Sequence, residues 1–410
     1  MEHNKIAIIG AGAAGCFAAA ELARTAPQAE VHVFERLSRP LAKLLLTGGG
    51  RCNLTNSFAG VRSLEAVYPR GHRLMRRLFH RFDHRAAMAW FEREGVALVV
   101  QDDQCVFPRS QQARQVADTL LSLMRRHGVC LHLGHRLEDI RPAGTGYQLS
   151  FAAQSAPLHF DAVVVTTGGS PRASGLDFLG SLGVERVPPV PSLFSVVVSD
   201  AELRALSGTV VEEAAVRLSG TKLRAEGALL ITHLGLSGPA MLRLSAHAAR
   251  YLAERDYRAE VAVNWLGALN EEETLSLLSD LARENAGKQL ANVWPSALNR
   301  RLWLYLLQSL SLRPTERWSS LSPKTLRRLA ARLTNHALPV EGRNPFKEEF
   351  VTCGGVALSE INAETLEHKR HPALFFAGEV LDVDAVTGGF NLQAAWTMGA
   401  VVAQALGRGV

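Results

Sequence analysis

At 410 residues the chain is long enough for two or three domains with cores of their own, and 47% hydrophobic with 20% charged residues is the makeup of a folded protein, not a disordered one. The five cysteines, Cys16, Cys52, Cys105, Cys130 and Cys353, are odd in number and scattered without a CxxC pair, which argues against a disulfide framework or a zinc site and fits a reducing cytoplasm; no metal is expected. The net charge of +6 raises the question of nucleic acid, but in the arginine-rich stretches 70–85 and 327–332 apolar residues recur at helical spacing, so the arginines read first as solvated helix faces and nucleic-acid binding is disfavoured.

The opening run Ile6-Ala7-Ile8-Ile9 is continuously apolar, as a buried parallel strand requires. Lys5 is the only lysine or arginine before it and glycines at fingerprint spacing follow, so it reads as a strand and helix, not as a secretion signal. No apolar run is long enough to span a bilayer. Gly10-Ala11-Gly12-Ala13-Ala14-Gly15 comes next, then an alanine-rich helix, then Val31-His32-Val33-Phe34-Glu35, a second strand ending in an acid. That is a complete βαβ dinucleotide-binding unit. Gly10 permits the tight turn, Gly12 lets backbone approach a pyrophosphate, and Gly15 lets the helix pack on the strand, so the N–H groups around Ala13, Ala14 and Gly15 face the anion. Glu35, with Arg36 beside it, is placed to accept hydrogen bonds from ribose hydroxyls.

A glycine-rich loop follows at 47–53, then two helices around 72–94 and another at about 110–127. Strands are predicted at 129–133, 136–140 (with Leu137 at its start), 147–151 and 160–167; the last ends in Thr167-Gly168-Gly169, a second place where backbone can approach a cofactor. Pro188, Pro189 and Pro191 interrupt any regular element and mark a boundary. Beyond it, 193–199, 210–218, 228–231 and 260–265 suggest a small antiparallel sheet or barrel, and 271–284, 297–311 and 322–334 are helical. In that module Ser237 is expected to cap a helix with Pro239 in its first turn. The segments 350–356 and 373–377 then turn back toward the first domain. The predicted division is 1–187 and 346–410 for a discontinuous Rossmann-like domain, with 188–345 inserted as a substrate or cap domain, β-rich over 188–266 and helical over 267–345.

The last 40 residues carry Phe375-Phe376-Ala377-Gly378-Glu379 and Thr387-Gly388-Gly389-Phe390-Asn391 ahead of the apolar stretch 392–406. The second motif is predicted to open a final helix capped by Asn391, with Gly388, Gly389, Asn391 and Leu392 at its N-terminus. An NAD-only Rossmann enzyme does not need such a return. Together the two ends resemble the two-dinucleotide-binding-domain flavoproteins. More narrowly, KLLLTGGGRCNLTN (43–56), ITHLGLSGPAMLRLS (231–245), VTCGGV (351–356) and FFAGEVLDVDAVTGGFNLQAAWTMG (375–399) resemble the BaiN/YhiN-type bacterial flavoproteins, known as NAD(P)/FAD-dependent oxidoreductases.

The resemblance implies FAD lying extended, its ADP half on the glycine fingerprint and Glu35, and Gly378-Glu379 on the ribityl chain. It places Lys43, Gly49, Arg51, Cys52 and Asn53 beneath the pyrophosphate and ring, Lys43 and Arg51 facing phosphate charge. Cys52 is expected to line the cofactor rather than act as a redox thiol, and Asp382 and Asp384 to reach the ribityl chain or solvent. Members of the family include a reductase of unsaturated oxo-bile acids and an oxidase of a small amino ketone. Three functions therefore stay open: an FAD-dependent reductase of activated C=C bonds with NAD(P)H binding transiently; an amine or amino-ketone oxidase using oxygen; and, in another class, a flavin-bearing RNA- or partner-binding protein. A small-molecule substrate is favoured. No general acid or base is assigned, His233 and Asn391 being the weak catalytic candidates.

Overall fold

A computed structural model of the chain describes residues 5–407 apart from 153, 171 and 345–350. Phe350, predicted to open a strand, lies outside the described residues. Contacts divide the chain into two units, Met1–Val190 with Val351–Val410, and Pro191–Phe350.

The first unit is built on a five-stranded parallel sheet in the spatial order Leu374–Phe376, Ala162–Val165, Lys5–Ile9, Glu30–Glu35, Cys130–Leu133. Ile6, Ala7, Ile8, Val163, Val164 and Val165 have no exposed surface, which is why their segments carry no polar alternation. The chain builds outward from the first strand on one side, then returns to add Ala162–Val165 and Leu374–Phe376 on the other. The strand order thus reverses beside Lys5–Ile9, and a crevice at the carboxyl ends of the strands is the ligand position that such a reversal creates.

Nine residues of the helix Ala13–Thr25 are buried, and they are mostly small. The C-terminal helix Phe390–Gly407 packs along it, so closely that a Cβ on Gly399 would stand 2.9 Å from the Ala14 carbonyl oxygen. The unit also contains two small three-stranded antiparallel sheets. One contains Leu137–Ala143, Gly146–Phe151 and Leu158–Phe160; the other, Thr55–Asn56, Cys105–Pro108 and Leu98–Val100, comes from a region to which the sequence assigns no strands. The division between the units falls within the proline cluster, between Val190 and Pro191, but the cluster does not interrupt regular structure as expected. Arg186–Ser192 is a strand paired with Val351–Val356 in a two-stranded ribbon, where a proline need not donate to a partner on its outer side.

The second unit is a closed six-stranded barrel in the order Val196–Val198, Gly235–Ser237, Arg224–Ile231, Val210–Leu218, Ala259–Asn264, His336–Arg343. The strand His336–Arg343 falls in the part predicted to be helical, and its alternation of buried and exposed residues is the period-two signature that the preceding helix obscured. Helices Gly238–Ala253, Glu271–Glu284, Arg300–Gln308 and Pro323–Thr334 belong to the same unit. Among the described residues no helix is long and apolar enough to cross a membrane.

Candidate cofactor site

The carboxyl ends of the central strands are tied to one another by short backbone bonds. Gly10 N–H donates to Phe34 O (2.7 Å), Thr166 N–H to Ile9 O (2.8 Å) and Ala377 N–H to Val165 O (3.0 Å). Thr166 Oγ1 also donates to Gly10 O (2.8 Å), locking the fingerprint turn to the strand beside it.

The three fingerprint glycines have different physical reasons. A Cβ on Gly10 would stand 2.6 Å from Thr166 O, and one on Gly15 would stand 2.0 Å from Gly10 O, so packing within the protein excludes side chains there. Gly12 has φ −86°, open to any residue, and a Cβ on it would meet nothing within 4 Å. Neither conformation nor packing requires that glycine, which is the signature of a cradle kept clear for another molecule. Gly12 also precedes the helix whose first bond is Cys16 N–H to Gly12 O (2.9 Å), so the N–H groups of Ala13, Ala14 and Gly15 have no intrahelical acceptor. No acid occupies that first turn, leaving its positive end available to an anion.

Glu35 closes the second strand. Its Oε2 accepts from Ala11 N–H (2.9 Å) and its Oε1 from Leu37 N–H (2.9 Å), which fixes the carboxylate against the fingerprint turn with lone pairs remaining for hydroxyl donors. Arg36 is exposed beside it, and half-buried Leu137 pairs with Phe151.

Residues 43–56 reach the C-terminal motifs through side chains. Lys43 Nζ donates to Glu379 Oε2 (2.8 Å), and Glu379 Oε1 accepts from Thr352 N–H (2.7 Å). Lys43 therefore meets a carboxylate where phosphate was expected, and Glu379 has both oxygens engaged. Glu379 also abuts the Thr167-Gly168-Gly169 turn, since a Cβ on Gly169 would stand 2.5 Å from Glu379 Oε1. Arg51 lies over the Phe107 ring (4.4 Å) and donates to Gly48 O (3.0 Å). Gly48 and Gly49 have left-handed backbones (φ 58° and 68°), the conformation for which the loop needs glycine.

Cys52 is enclosed by protein on all sides, and burial pushes its thiol up to about 12 despite a bond with Thr47. Only its backbone remains for a cofactor. Asn53, with its amide oriented to donate to Thr55 O (3.0 Å), accepts from Gly389 N–H (3.2 Å). Asn56 Nδ2 donates to Gly388 O (3.0 Å), Thr55 Oγ1 to Gln393 Oε1 (2.6 Å), and Trp396 Nε1 to Leu54 O (2.9 Å). Four consecutive residues, 53–56, are thereby stitched to the start of the C-terminal helix.

Two expectations change here. Asn391 does not cap that helix: Gln393 N–H bonds to Gly389 O, so the cap position is Gly389, which has no side chain. Asn391 instead accepts from Ala385 N–H (2.9 Å) and donates to Ala385 O (3.0 Å), spending its amide on the preceding loop, with half-buried Leu392 next to it. Asp384 neither reaches solvent nor stands ready for a ribityl chain. It is 1% exposed, and both its oxygens accept from Arg70, which approaches through Nε and Nη2. In the second unit, Ser237 precedes its helix as expected but makes no cap bond; its hydroxyl meets Ser195 Oγ (2.6 Å). His233 lies on an exposed turn of that unit. Among the described residues no group of three His, Cys, Asp or Glu side chains is arranged to hold a metal.

Thr166, Thr352, Arg70 and Gln393 are the site-building residues that the sequence does not single out. Gln393 alone carries a signal, as an amide in the mostly apolar stretch 392–406; it has no exposed surface.

Residues 4–405 match the family described as HI0933-like protein Rossmann domain. The chain is 28% identical over 98% of both chains to a 3-dehydro-bile acid delta(4,6)-reductase of Clostridium scindens. It is also 28% identical to a ribosomal RNA dihydrouridine synthase of Escherichia coli, over 99% of this chain and 98% of that one. Among solved structures, a quinol-fumarate reductase with menaquinol molecules aligns at a TM-score of 0.51 and 15% identity, over 100% of this chain and 72% of that one. A 3-ketosteroid delta1-dehydrogenase from Sterolibacterium denitrificans aligns at 0.50 and 11% identity, over 99% and 100%. At such identities the structural likeness is one of fold.

Proposed function

The chain belongs to the HI0933-like family of flavoprotein oxidoreductases, and from that premise we propose that it reduces carbon–carbon double bonds conjugated to a carbonyl, with FAD as resident cofactor and NAD(P)H as electron source. The observation that carries the cofactor is Gly12, a glycine that the protein's own packing and backbone do not require, at the positive start of a helix and beside a fixed carboxylate, Glu35. FAD, when bound, supplies a ring that accepts and delivers hydride.

The chain's own groups divide the remaining work. The N–H groups of Ala13, Ala14 and Gly15 hold the pyrophosphate, and Glu35 holds ribose hydroxyls. Glu379, oriented by Lys43 and Thr352, faces the ribityl side from beside Gly168 and Gly378. Backbone of Gly49, Arg51, Cys52 and Asn53 lines the same path. Gly388 and Gly389 open the C-terminal helix without side chains, so its first N–H groups can stabilise negative charge arising there; Asn53 keeps that start in place.

The reaction class rests on the two curated relatives. The one name specifies saturation of double bonds conjugated to a 3-oxo group, the other the saturated form of a uracil ring, whose reduced bond adjoins a carbonyl. Both are hydride additions to an alkene polarised by a neighbouring C=O.

Anaerobic mixing of the yellow, FAD-loaded protein with NADPH or NADH tests the reading. Prompt bleaching, reversed by an enone and not by a saturated ketone, is the expected result. Bleaching by an amine alone, with peroxide formed on aeration, would replace it with an oxidase.

A further inference from the structure

The loop 382–391, which runs into the turn that opens the C-terminal helix, carries a carboxylate that water does not reach. The side chain of Asp384 has no exposed surface, and that of Arg70, which donates to both its oxygens, is 12% exposed. The two residues also form an antiparallel backbone bridge. Around this pair the loop is fastened without the help of charge. Val386 N–H donates to Val67 O (2.9 Å), Tyr68 Oη donates to Phe390 O (2.9 Å), and Asn391 bonds in both directions to Ala385, the residue after Asp384. Gly71 meets Val383 so closely that a Cβ on the glycine would stand 2.5 Å from Val383 Cγ2. From the other side Asn56 and Asn53 hold Gly388 and Gly389.

Fastening does not account for the ion pair. Two charges taken out of water lose hydration that their attraction only about repays, so a buried pair is a poor source of stability. What it controls is the local field, because a buried charge is screened far less than an exposed one. Asp382 is partly exposed and the Lys43 side chain is 58% exposed, so water damps both. Asp384 is balanced from within the protein, by Arg70.

We propose that Arg70 is a positioning residue that sets the reduction potential of the cofactor: it holds Asp384 in the loop and cancels its charge, so that the Gly388-Gly389 turn can receive the negative charge that reduction brings. The inference rests on the reductase reading above and deepens it by naming the group that tunes the electron acceptor. A hydride passed from NAD(P)H, which leaves as NAD(P)+, brings two electrons and one proton to bound FAD, and therefore one added negative charge. An unbalanced carboxylate in the same loop opposes that charge, and an unbalanced guanidinium favours it. At about 10 Å in a protein interior, one buried charge shifts such an equilibrium roughly tenfold, which is ~30 mV for a two-electron couple.

The test is the midpoint potential of the FAD-loaded full-length protein near neutral pH, read by equilibration with redox dyes. D384N leaves the charge of Arg70 unbalanced and should favour the reduced form roughly tenfold, raising the potential by ~30 mV. R70Q keeps a donor toward Asp384 without the charge and should disfavour the reduced form by a similar factor. R70K retains the charge, and R70Q/D384N removes both charges, so each should stay within about threefold of wild type. A role confined to structure lowers the melting temperature of the variants but does not give the two single substitutions opposite signs. If one of them does not fold, the sign of the other decides. A wild-type potential in D384N or in R70Q, a displacement of both in the same direction, or R70K displaced as far as R70Q would each overturn the proposal. Because dyes set these potentials, they are independent of the electron source. FAD-loaded protein that neither NADPH nor NADH bleaches removes the reductase reading while the variants still decide the role of Arg70, and prompt bleaching with unchanged potentials removes that role alone.

Discussion

Lys43 Nζ and Glu379 Oε2 stand 2.8 Å apart although 336 positions separate them in the chain. Their side chains differ in exposure, 58% for Lys43 and 18% for Glu379, so the lysine can be lost at little cost while the glutamate cannot. Lys43→Met is expected to cost under ~1 kcal/mol, the ordinary worth of an ion pair open to water. Glu379→Ala also strands the N–H of buried Thr352 and is expected to cost about 1–3 kcal/mol. Urea denaturation of the two variants checks the order, and equal losses would contradict it.

The fingerprint glycines should separate cofactor binding from folding. A Gly12→Val side chain enters space that no protein atom fills, so the apoprotein should lose no more than about 1 kcal/mol, while FAD affinity falls at least tenfold. Gly15→Ala presses on the Gly10 carbonyl and is expected to destabilise the apoprotein by roughly 3 kcal/mol. Thermal melts with flavin titration distinguish them. Unchanged FAD binding in Gly12→Val would leave that glycine unexplained.

Cys52 and Cys130 should differ sharply toward alkylating agents. The Cys52 thiol is buried and pushed up to about 12, whereas Cys130 is exposed. Iodoacetamide at mildly alkaline pH is expected to label Cys130 and spare Cys52 until the protein is denatured, as read by peptide mass spectrometry. Cys52→Ser should keep reduction of the flavin by NADPH, since an un-ionised, enclosed thiol takes no part in electron transfer.

In the barrel unit, His336 is 2% exposed and accepts from Trp265 Nε1 (3.2 Å), and burial with help from nearby Arg332 pushes its imidazole down to about 4. The folded state therefore binds fewer protons than the unfolded chain between pH 6.5 and 4. The stability that depends on neutral His336 is fully present above the unfolded value of 6.5 and declines as pH falls toward 4, by roughly 3 kcal/mol in all. His336→Gln retains an acceptor but cannot titrate in that window. Relative to that variant, wild type should therefore lose denaturation free energy from pH 7 to 4.5, and a constant difference would mean that the residue is not buried neutral.

The arginines of 70–85 show how far a helical pattern reaches. The spacing of Leu74 and Leu78 correctly predicts an amphipathic helix, observed at His72–Phe79 with both leucines buried. Pattern alone, however, makes every residue off the apolar stripe equivalent. Arg70 has a buried partner, Arg81 two neutral ones, and Arg73 and Arg76 lie exposed on the helix. These fates depend on which distant segment packs alongside, a choice that leaves no periodic trace. Prolines 188, 189 and 191 show the converse: a local rule excluded regular structure, and pairing along a ribbon edge admitted it.

What the sequence by itself determined is local and repetitive: the strand, turn and helix of the glycine fingerprint, the acid ending the second strand, the barrel's alternating segments and the glycines opening the last helix. Each follows from backbone sterics or from burial of one face, and both act over a few residues. Only the tertiary structure decided how the charged groups are used, setting Glu379 against Lys43, closing Asp384 on Arg70 and turning Asn391 back on Ala385. A carboxylate or amide bonds to whichever donor packing brings within 3 Å, and that proximity is a property of the folded chain, not of the order of its residues.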